Sequence, residues 1–382
     1  MPWSLVNLAA TFYSGRMSTS ITARICAPAA VANASNFTDP QRLVAEDGRH
    51  LAASWFEPPG TARAVAVVSS AAGVPRGYYR AFAGWMAERG YATLTYDYRG
   101  VAGSRGGPMR QEPGTMRDWA VLDMSAALAA AQARRATHGL PLLLVGHSFG
   151  GNAIGFAAGV EQADALLAVG SQVGEPRLYP GLQRWTAEFF FRVWLPSVVP
   201  LFGHLPGWAI GPGAQALPAG VARQWARWGR QRGWAYADPA MQPHRSASAL
   251  NVPVHLWSVS DDLTYAPPLA VDALADQFRN AAVQRHTVVP AQVGVRKLGH
   301  FGAFRRHPGA RLWQKLLAPI EAATPALRMV AAATATATAT ATAWSAANAS
   351  VNASVNAAAN SPAVLPANPS ANASAPAPDP QP

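Results

Sequence analysis

Cysteine and lysine are scarce in this sequence. Cys26 is the only cysteine, which excludes an internal disulfide and a cluster of thiolate metal ligands. Lys297 and Lys315 are the only lysines among 31 basic residues, so arginine supplies almost all of the net charge of +11. The folded-looking part of the chain contains no uncharged apolar run of about 20 residues, and we therefore expect no transmembrane helix.

An arginine-rich surface can attract phosphate groups, anionic lipid or nucleic acid. The basic residues are scattered, apart from a group at Arg223, Arg227, Arg230 and Arg232, and no nucleic-acid-binding motif accompanies them. We expect solvated surface charge and no nucleic-acid partner, with a membrane surface as the less favoured alternative.

Both ends of the chain differ in composition from the middle. Residues 1–40 are irregular and are predicted to be a disordered leader, with Met17 as an alternative start. They lack a basic segment followed by an apolar core, so we expect no signal peptide and a cytoplasmic location. From Met329 an Ala-Thr tract leads into Asn-Ala-Ser repeats and a Pro-Ala segment, which predicts a disordered tail over 329–382.

The pattern Gly-x-Ser-x-Gly lies at the centre of the chain, with Ser148 between Gly146 and Gly150. The apolar run 142–145 favours a buried strand before it, and the residues from Asn152 onward favour a buried helix after it. A serine at such a corner projects its hydroxyl above the sheet and faces the positive end of the helix. Ser148 is therefore the candidate nucleophile.

Alternating strands and helices predict an α/β fold with a mostly parallel sheet covered on both faces. Asp47-Gly48 within 41–56 predicts an antiparallel hairpin at the start of the sheet. Further strands are predicted at 64–70, 91–96, 142–145, 165–169, 252–259 and 287–289. We assign residues 41–171 and 249–320 to this core.

Residues 172–248 separate two predicted strands by several times a normal connection. They contain six of the 13 tryptophans and the run Phe189-Phe190-Phe191. We predict a helical cap over the carboxyl edge of the sheet, in which most of the aromatic residues pack and some face a substrate pocket. His204 is a candidate substrate contact within the cap.

A serine nucleophile needs a base that takes its proton and a carboxylate that orients the base. Asp261 and Asp262 follow the predicted strand after the cap, and His300 lies on a glycine-flanked loop after the last strand. We predict His300 as the base and Asp262 as the acid, with Asp261 bonded to the loop backbone; the opposite assignment of the two aspartates stays open. His147 is assigned to packing.

The oxyanion of a tetrahedral intermediate needs two backbone N–H donors. Phe149, directly after the nucleophile, is one predicted donor, and Ala72 or Ala71 in the loop after the 64–70 strand is the other. This chemistry requires no cofactor, and no His or Cys spacing suggests a metal site.

Three features together resemble the α/β-hydrolase superfamily. They are the chain order of Ser148, Asp262 and His300, the Gly-His-Ser-Phe-Gly elbow, and the segment Asp97-Tyr98-Arg99-Gly100. Over residues 41–320 the chain is similar to bacterial predicted α/β hydrolases related to serine aminopeptidases and lysophospholipase-like esterases. The motifs that carry this closer resemblance are Ser70-Ala71-Ala72-Gly73-Val74-Pro75 with Tyr79, Ser260-Asp261-Asp262 with Tyr265-Ala266-Pro267, and Gly299-His300-Phe301-Gly302. The resemblance implies the α/β-hydrolase fold and serine-based hydrolysis. The oxyanion loop departs from the usual His-Gly start, because Ser69-Ser70-Ala71 stands in its place.

The sequence thus predicts a serine esterase that acts on a small-molecule substrate with an apolar acyl group, since the cap is rich in tryptophan and phenylalanine. An amide or peptide is less favoured, because the cap lacks an acidic cluster that would capture an amino terminus. Acyl transfer would need the same triad in a site that excludes water. A ligand-binding or membrane-surface protein that keeps the fold without turnover is the alternative from another class.

Overall fold

An eight-stranded sheet forms the centre of the molecule in the computed structural model, which describes residues 37–211 and 214–359. The strands in chain order are β1 (Phe37–Val44), β2 (His50–Phe56), β3 (Ala64–Ser69), β4 (Tyr91–Tyr96), β5 (Leu142–His147), β6 (Ala165–Val169), β7 (His204–Leu205), β8 (Leu217–Pro218), β9 (Pro253–Val259) and β10 (Ala282–Val288). The main sheet has the order β1-β2-β4-β3-β5-β6-β9-β10, and β7 and β8 pair with each other outside it.

Six neighbouring strands of the sheet, from β4 to β10, run parallel, and β1 and β2 add an antiparallel edge. Strands β3, β4, β5 and β6 are buried along their whole length, as expected for strands covered on both faces. The predicted α/β fold with a mostly parallel sheet is therefore confirmed.

Helices cover both faces of the sheet and fill the long connection between β6 and β9. In chain order they are α1 (Arg80–Ala87), α2 (Met116–Asp118), α3 (Met124–Ala136), α4 (Phe149–Ile154), α5 (Gly181–Phe189), α6 (Leu195–Phe202), α7 (Ala219–Gly229), α8 (Pro268–Ala275), α9 (Gly299–Gly302), α10 (Ala310–Ala323) and α11 (Pro325–Ala359). Single π turns at Trp119–Asp123 and Phe190–Trp194 join α2 to α3 and α5 to α6.

The core has two parts because successive strand residues point to opposite faces of the sheet. Leu142 and Leu144 of β5 belong to the cluster that contains Leu128 of α3, whereas Leu143 and Val145 belong to the cluster that contains α1 and α10 residues. The first cluster also takes in buried residues of α6 and α7. The inserted segment is therefore helical and anchored to one side of the body.

The ends of the chain differ from the sequence prediction. Residues 37–40, assigned to the leader, belong to β1, and residues 1–36 lie outside the described part. Helix α11 extends over residues 329–359, for which the composition predicts disorder, and residues 360–382 are not described. Alanine has the highest helix propensity, so an alanine-rich segment can be helical without a core.

The compact unit that contains the sheet ends at Ala332, and a second unit begins at Ala333. Leu327 and Val330, in the first turns of α11, are buried in the sheet unit. None of the helices within residues 37–211 and 214–359 combines the length and apolar character needed to cross a bilayer.

Candidate active site

Ser148 occupies the sharp corner between β5 and α4. Its φ of 53° and ψ of −120° form a backbone conformation that costs a non-glycine residue about 1–3 kcal/mol. Two glycines allow the corner to close: a Cβ at Gly146 would lie 2.3 Å from the Gly151 Cα, and one at Gly150 would lie 2.1 Å from the Ser69 carbonyl oxygen. The corner places Ser148 at the carboxyl edge of the sheet, where α4 begins.

Asp262 and His300 form a buried pair at the same edge of the sheet. Asp262 Oδ2 lies 2.6 Å from His300 Nδ1, and its Oδ1 accepts the Tyr265 N–H at 3.2 Å. Asp261 instead accepts the backbone N–H groups of Leu298 and Gly299 at 3.0 and 2.8 Å. The structure thus pairs Asp262 with the histidine, which lies in the short helix α9 and not on the predicted loop, and Asp261 holds the start of that helix.

The imidazole of His300 lies next to the strand that contacts Ser148. A Cβ at Gly170 would be 3.3 Å from His300 Nδ1, and the preceding residue, Val169, accepts the Ser148 N–H at 3.1 Å. Donation from Nδ1 to Asp262 leaves Nε2 as the basic nitrogen. In the described part of the chain no hydrogen bond joins the Ser148 hydroxyl to this ring; such catalytic bonds are often long before substrate binds.

The loop after β3 presents only one of its two predicted oxyanion donors. The Ala71 N–H donates to the Tyr79 hydroxyl at 2.9 Å, whereas the half-buried Ala72 has no acceptor for its N–H among the described residues. Phe149 is the first residue of α4, so its N–H has no acceptor within the helix. Among the predicted donors, the N–H groups of Phe149 and Ala72 thus have no hydrogen-bond acceptor in the described residues, whereas that of Ala71 has one.

Tyr79 and His147 connect this loop to His300 through buried hydrogen bonds. His147 Nε2 lies 3.0 Å from the His300 carbonyl oxygen, which can only accept, so Nε2 carries the proton. His147 Nδ1 must then accept the Tyr79 hydroxyl proton at 2.8 Å, and the same hydroxyl accepts the Ala71 N–H. Burial and the nearby His300 hold the pKa of His147 well below its usual value, so the ring stays neutral.

The sequence did not reveal this connection. From the sequence, His147 is assigned to packing, and no role is given to the hydroxyl of Tyr79, which was the one available signal. His204, the predicted substrate contact, lies on β7 with Nδ1 3.0 Å from the Phe202 carbonyl oxygen. No cluster of three or more metal-ligating side chains occurs in the described residues.

The inserted helical segment contacts the site on two sides. The Tyr179 hydroxyl donates to the carbonyl of Tyr265, whose ring stacks on His300 with centroids 4.9 Å apart. The Gln215 N–H donates to the carbonyl of Gly73, next to Ala72, at 3.0 Å. The insertion therefore borders both the histidine and the oxyanion loop.

Comparison with known proteins agrees with this architecture. The family model described as serine aminopeptidase, S33 matches residues 60–252, just over half of the 382-residue chain. No curated protein matches the sequence significantly.

Many solved structures have a similar fold. A soluble variant of monoglyceride lipase from Saccharomyces cerevisiae, in complex with a substrate analog, has 14% identity and a TM-score of 0.55, covering 75% of this chain and 96% of that chain. DcsB in complex with its substrate analogue has 15% identity and a TM-score of 0.51, covering 75% and 99%. At this level of identity the likeness concerns the fold alone.

Proposed function

The chain belongs to the serine aminopeptidase S33 family of α/β hydrolases, and from that premise we propose that it cleaves a carboxylic ester with an apolar acyl group through an acyl-enzyme on Ser148. The observation that carries the proposal is the buried 2.6 Å contact between Asp262 and His300, at the sheet edge where the strained Ser148 stands. A base oriented by a carboxylate beside such a serine is the arrangement that acyl transfer requires.

In the proposed reaction, the Ser148 Oγ attacks the ester carbonyl carbon while its proton passes to His300 Nε2. The carbonyl oxygen becomes an oxyanion, which the N–H groups of Phe149 and Ala72 stabilise. The C–O bond to the alcohol then breaks, and His300 gives the proton to the leaving oxygen. Water attacks the acyl-enzyme with the same histidine as base, which releases the acid and restores Ser148. Asp262 stabilises the imidazolium in both halves of the reaction.

The charges of the cap favour an ester over the amino-terminal peptide that the family description suggests. Residues 172–248 contain eight arginines and three carboxylates, a net charge of +5. All three carboxylates pair with cap arginines: Glu175 with Arg177, Glu188 with Arg192 and Asp238 with Arg227. A cationic amino terminus would therefore meet a positively charged cap without a spare carboxylate.

Hydrolysis of p-nitrophenyl esters, from acetyl to long acyl chains, tests the proposal. We expect turnover by the wild type with an optimum at an intermediate or long chain, and a loss of about 10⁶-fold in kcat for Ser148→Ala. Ser197→Ala is the matched control, because Ser197 is exposed on α6. A folded wild type that hydrolyses amino-acid p-nitroanilides but no ester would overturn the ester assignment, and one inactive on both would overturn catalysis.

A further inference from the structure

A cleft lies at the start of β2 and the loop after β4, and none of the residues proposed for catalysis lines it. Its volume is about 410 Å³, and it is lined by the first residues of β2, by Arg76 and by residues 103–106. None of the described residues that line it is acidic. The titratable side chains in its wall are Arg42, Arg49, His50, Arg76 and Arg105.

Arg49 is held in place from behind by a buried carboxylate. Its guanidinium pairs with Glu112 and donates to the Ser104 carbonyl at 2.8 Å. Glu112 also accepts the N–H groups of Gly106 and Gly107 at 2.8 and 3.1 Å, so the loop wraps around it. The Glu112 side chain is 1% exposed and that of Arg49 is 22% exposed, and Arg49 lines the cleft.

Arg76 is held in the same way on another wall. Its Nη1 lies 2.5 Å from Asp97 Oδ2, and its Nε donates to the Ser54 hydroxyl at 2.9 Å. Asp97 is fully buried, whereas Arg76 is partly exposed. Gly103 permits this packing, since a Cβ there would lie 2.9 Å from Arg76 Nη1. Both arginines are therefore fixed before any ligand arrives, which lowers the entropy cost of binding.

Arg42 and Arg105 are exposed at the rim, and neither forms an ion pair among the described residues. Arg105 is oriented by donation from Nε to the Gly107 carbonyl at 2.8 Å. Of the four arginines that line the cleft, Arg49 and Arg76 thus pair with buried carboxylates, whereas the other two add positive charge at its rim.

We propose that this cleft binds a phosphate-bearing ligand, with Arg49 and Arg76 as fixed donors and Arg42 and Arg105 as rim donors. The planar fork of arginine matches phosphate oxygens and keeps its charge at every physiological pH. The volume lies within the range of small-molecule sites, so the cleft has room for an organic group attached to the phosphate. The inference does not depend on the proposed esterase activity.

The test is calorimetric titration of the full chain with inorganic pyrophosphate and with glycerol 3-phosphate at constant ionic strength. A second arm measures cosedimentation with phosphatidylcholine vesicles with and without phosphatidic acid, which distinguishes a lipid headgroup from a free phosphate compound. The cleft variant is Arg42→Gln/Arg105→Gln, which leaves both fixed ion pairs intact. The matched control is Arg279→Gln/Arg306→Gln, since both of these arginines are exposed outside the cleft.

We expect binding in at least one arm, weakened by about 10- to 100-fold in the cleft variant and unchanged in the control. Equal weakening in both variants would mean non-specific attraction by net charge and would overturn the proposal. Absence of binding in both arms would also overturn it.

Discussion

The sheet body and helix α5 of the inserted cap use the same apolar side chains in opposite ways. In the body, strands β3 to β6 bury every residue, and Trp119 is fully enclosed. In the cap, α5 buries none of its nine residues, and Leu182, Trp185 and Phe189 are 79%, 66% and 53% exposed. Spacings of three and four residues place these side chains on one face of the helix. Aromatic content alone therefore does not indicate a core.

The body and the cap have different roles in the proposed reaction. Every group proposed to make or break a bond comes from the body: Ser148 follows β5, Asp262 follows β9, and His300 lies in α9. The cap contacts their surroundings through the Tyr179 to Tyr265 and Gln215 to Gly73 hydrogen bonds. We expect substitutions in the body to change the rate of the chemical step and substitutions in the cap to change substrate preference.

After Ser148→Ala, the largest effect is expected at the two neighbouring aspartates. Asp262→Asn should lower kcat on a p-nitrophenyl ester by about 10⁴-fold, because an amide holds the His300 ring in the wrong tautomer. Asp261→Asn should change kcat by less than about tenfold and lower the free energy of unfolding by about 1–2 kcal/mol, since it weakens acceptance from Leu298 and Gly299.

Steady-state kinetics measure kcat, and urea unfolding measures the free energy of unfolding, for both variants. The two substitutions are matched in chemistry and position, so each is the control for the other. A larger loss of kcat in Asp261→Asn than in Asp262→Asn would contradict the pairing described here.

Much of the body was predictable because its signals are local. Buried strands appear in the sequence as short apolar runs, so β4 and β6 have the predicted bounds and β5 extends two residues beyond them. The glycine pattern around Ser148 reflects a steric need that the sequence displays directly. The choice between Asp261 and Asp262 was harder, because both side chains follow the same strand and only the tertiary structure decides which one meets His300.

The structure differs from the prediction where polar strand residues, contacts between distant residues or helix propensity determine the local structure. Strand β10 begins at Ala282, five residues before the predicted strand at 287–289. The prediction misses its first residues because Gln284, Arg285 and His286 are polar and interrupt the apolar pattern of a buried strand. The Ala71 N–H donates to the hydroxyl of Tyr79, eight residues further along the chain, so of the two predicted donors in this loop only the N–H of Ala72 is left without an acceptor among the described residues. Helix α11 extends into the alanine-rich segment because propensity there outweighs the lack of a core.

A pair of tryptophans tests the contrast in stability between the two regions. Trp119 stacks on Tyr98 with ring centroids 5.0 Å apart, and its Nε1 donates to the Arg99 carbonyl at 2.9 Å. Trp119→Ala should lower the free energy of unfolding by about 3–5 kcal/mol. Trp185→Ala, on the exposed face of α5, should change it by no more than about 0.5 kcal/mol. Chemical denaturation measures both, and similar losses would show that α5 is covered in solution.

The smallest effect is expected at Tyr79, a body residue that supports the site without being assigned contact with the substrate. Tyr79→Phe removes the donor to His147 and the acceptor of the Ala71 N–H, so the oxyanion loop loses one of its attachments. Because a hydrogen bond contributes about 1 kcal/mol, we expect kcat to fall by about 5- to 10-fold with little change in KM.

Tyr91→Phe is the matched control, since the Tyr91 hydroxyl donates to Glu321 at 2.9 Å in a buried part of the body that the proposed mechanism does not use. Both variants should lose similar stability in chemical denaturation, and only Tyr79→Phe should lose kcat. If the two variants lost stability alike and both kept the wild-type kcat, Tyr79 would be a structural residue only, and the connection from the oxyanion loop through His147 to His300 would have no part in catalysis.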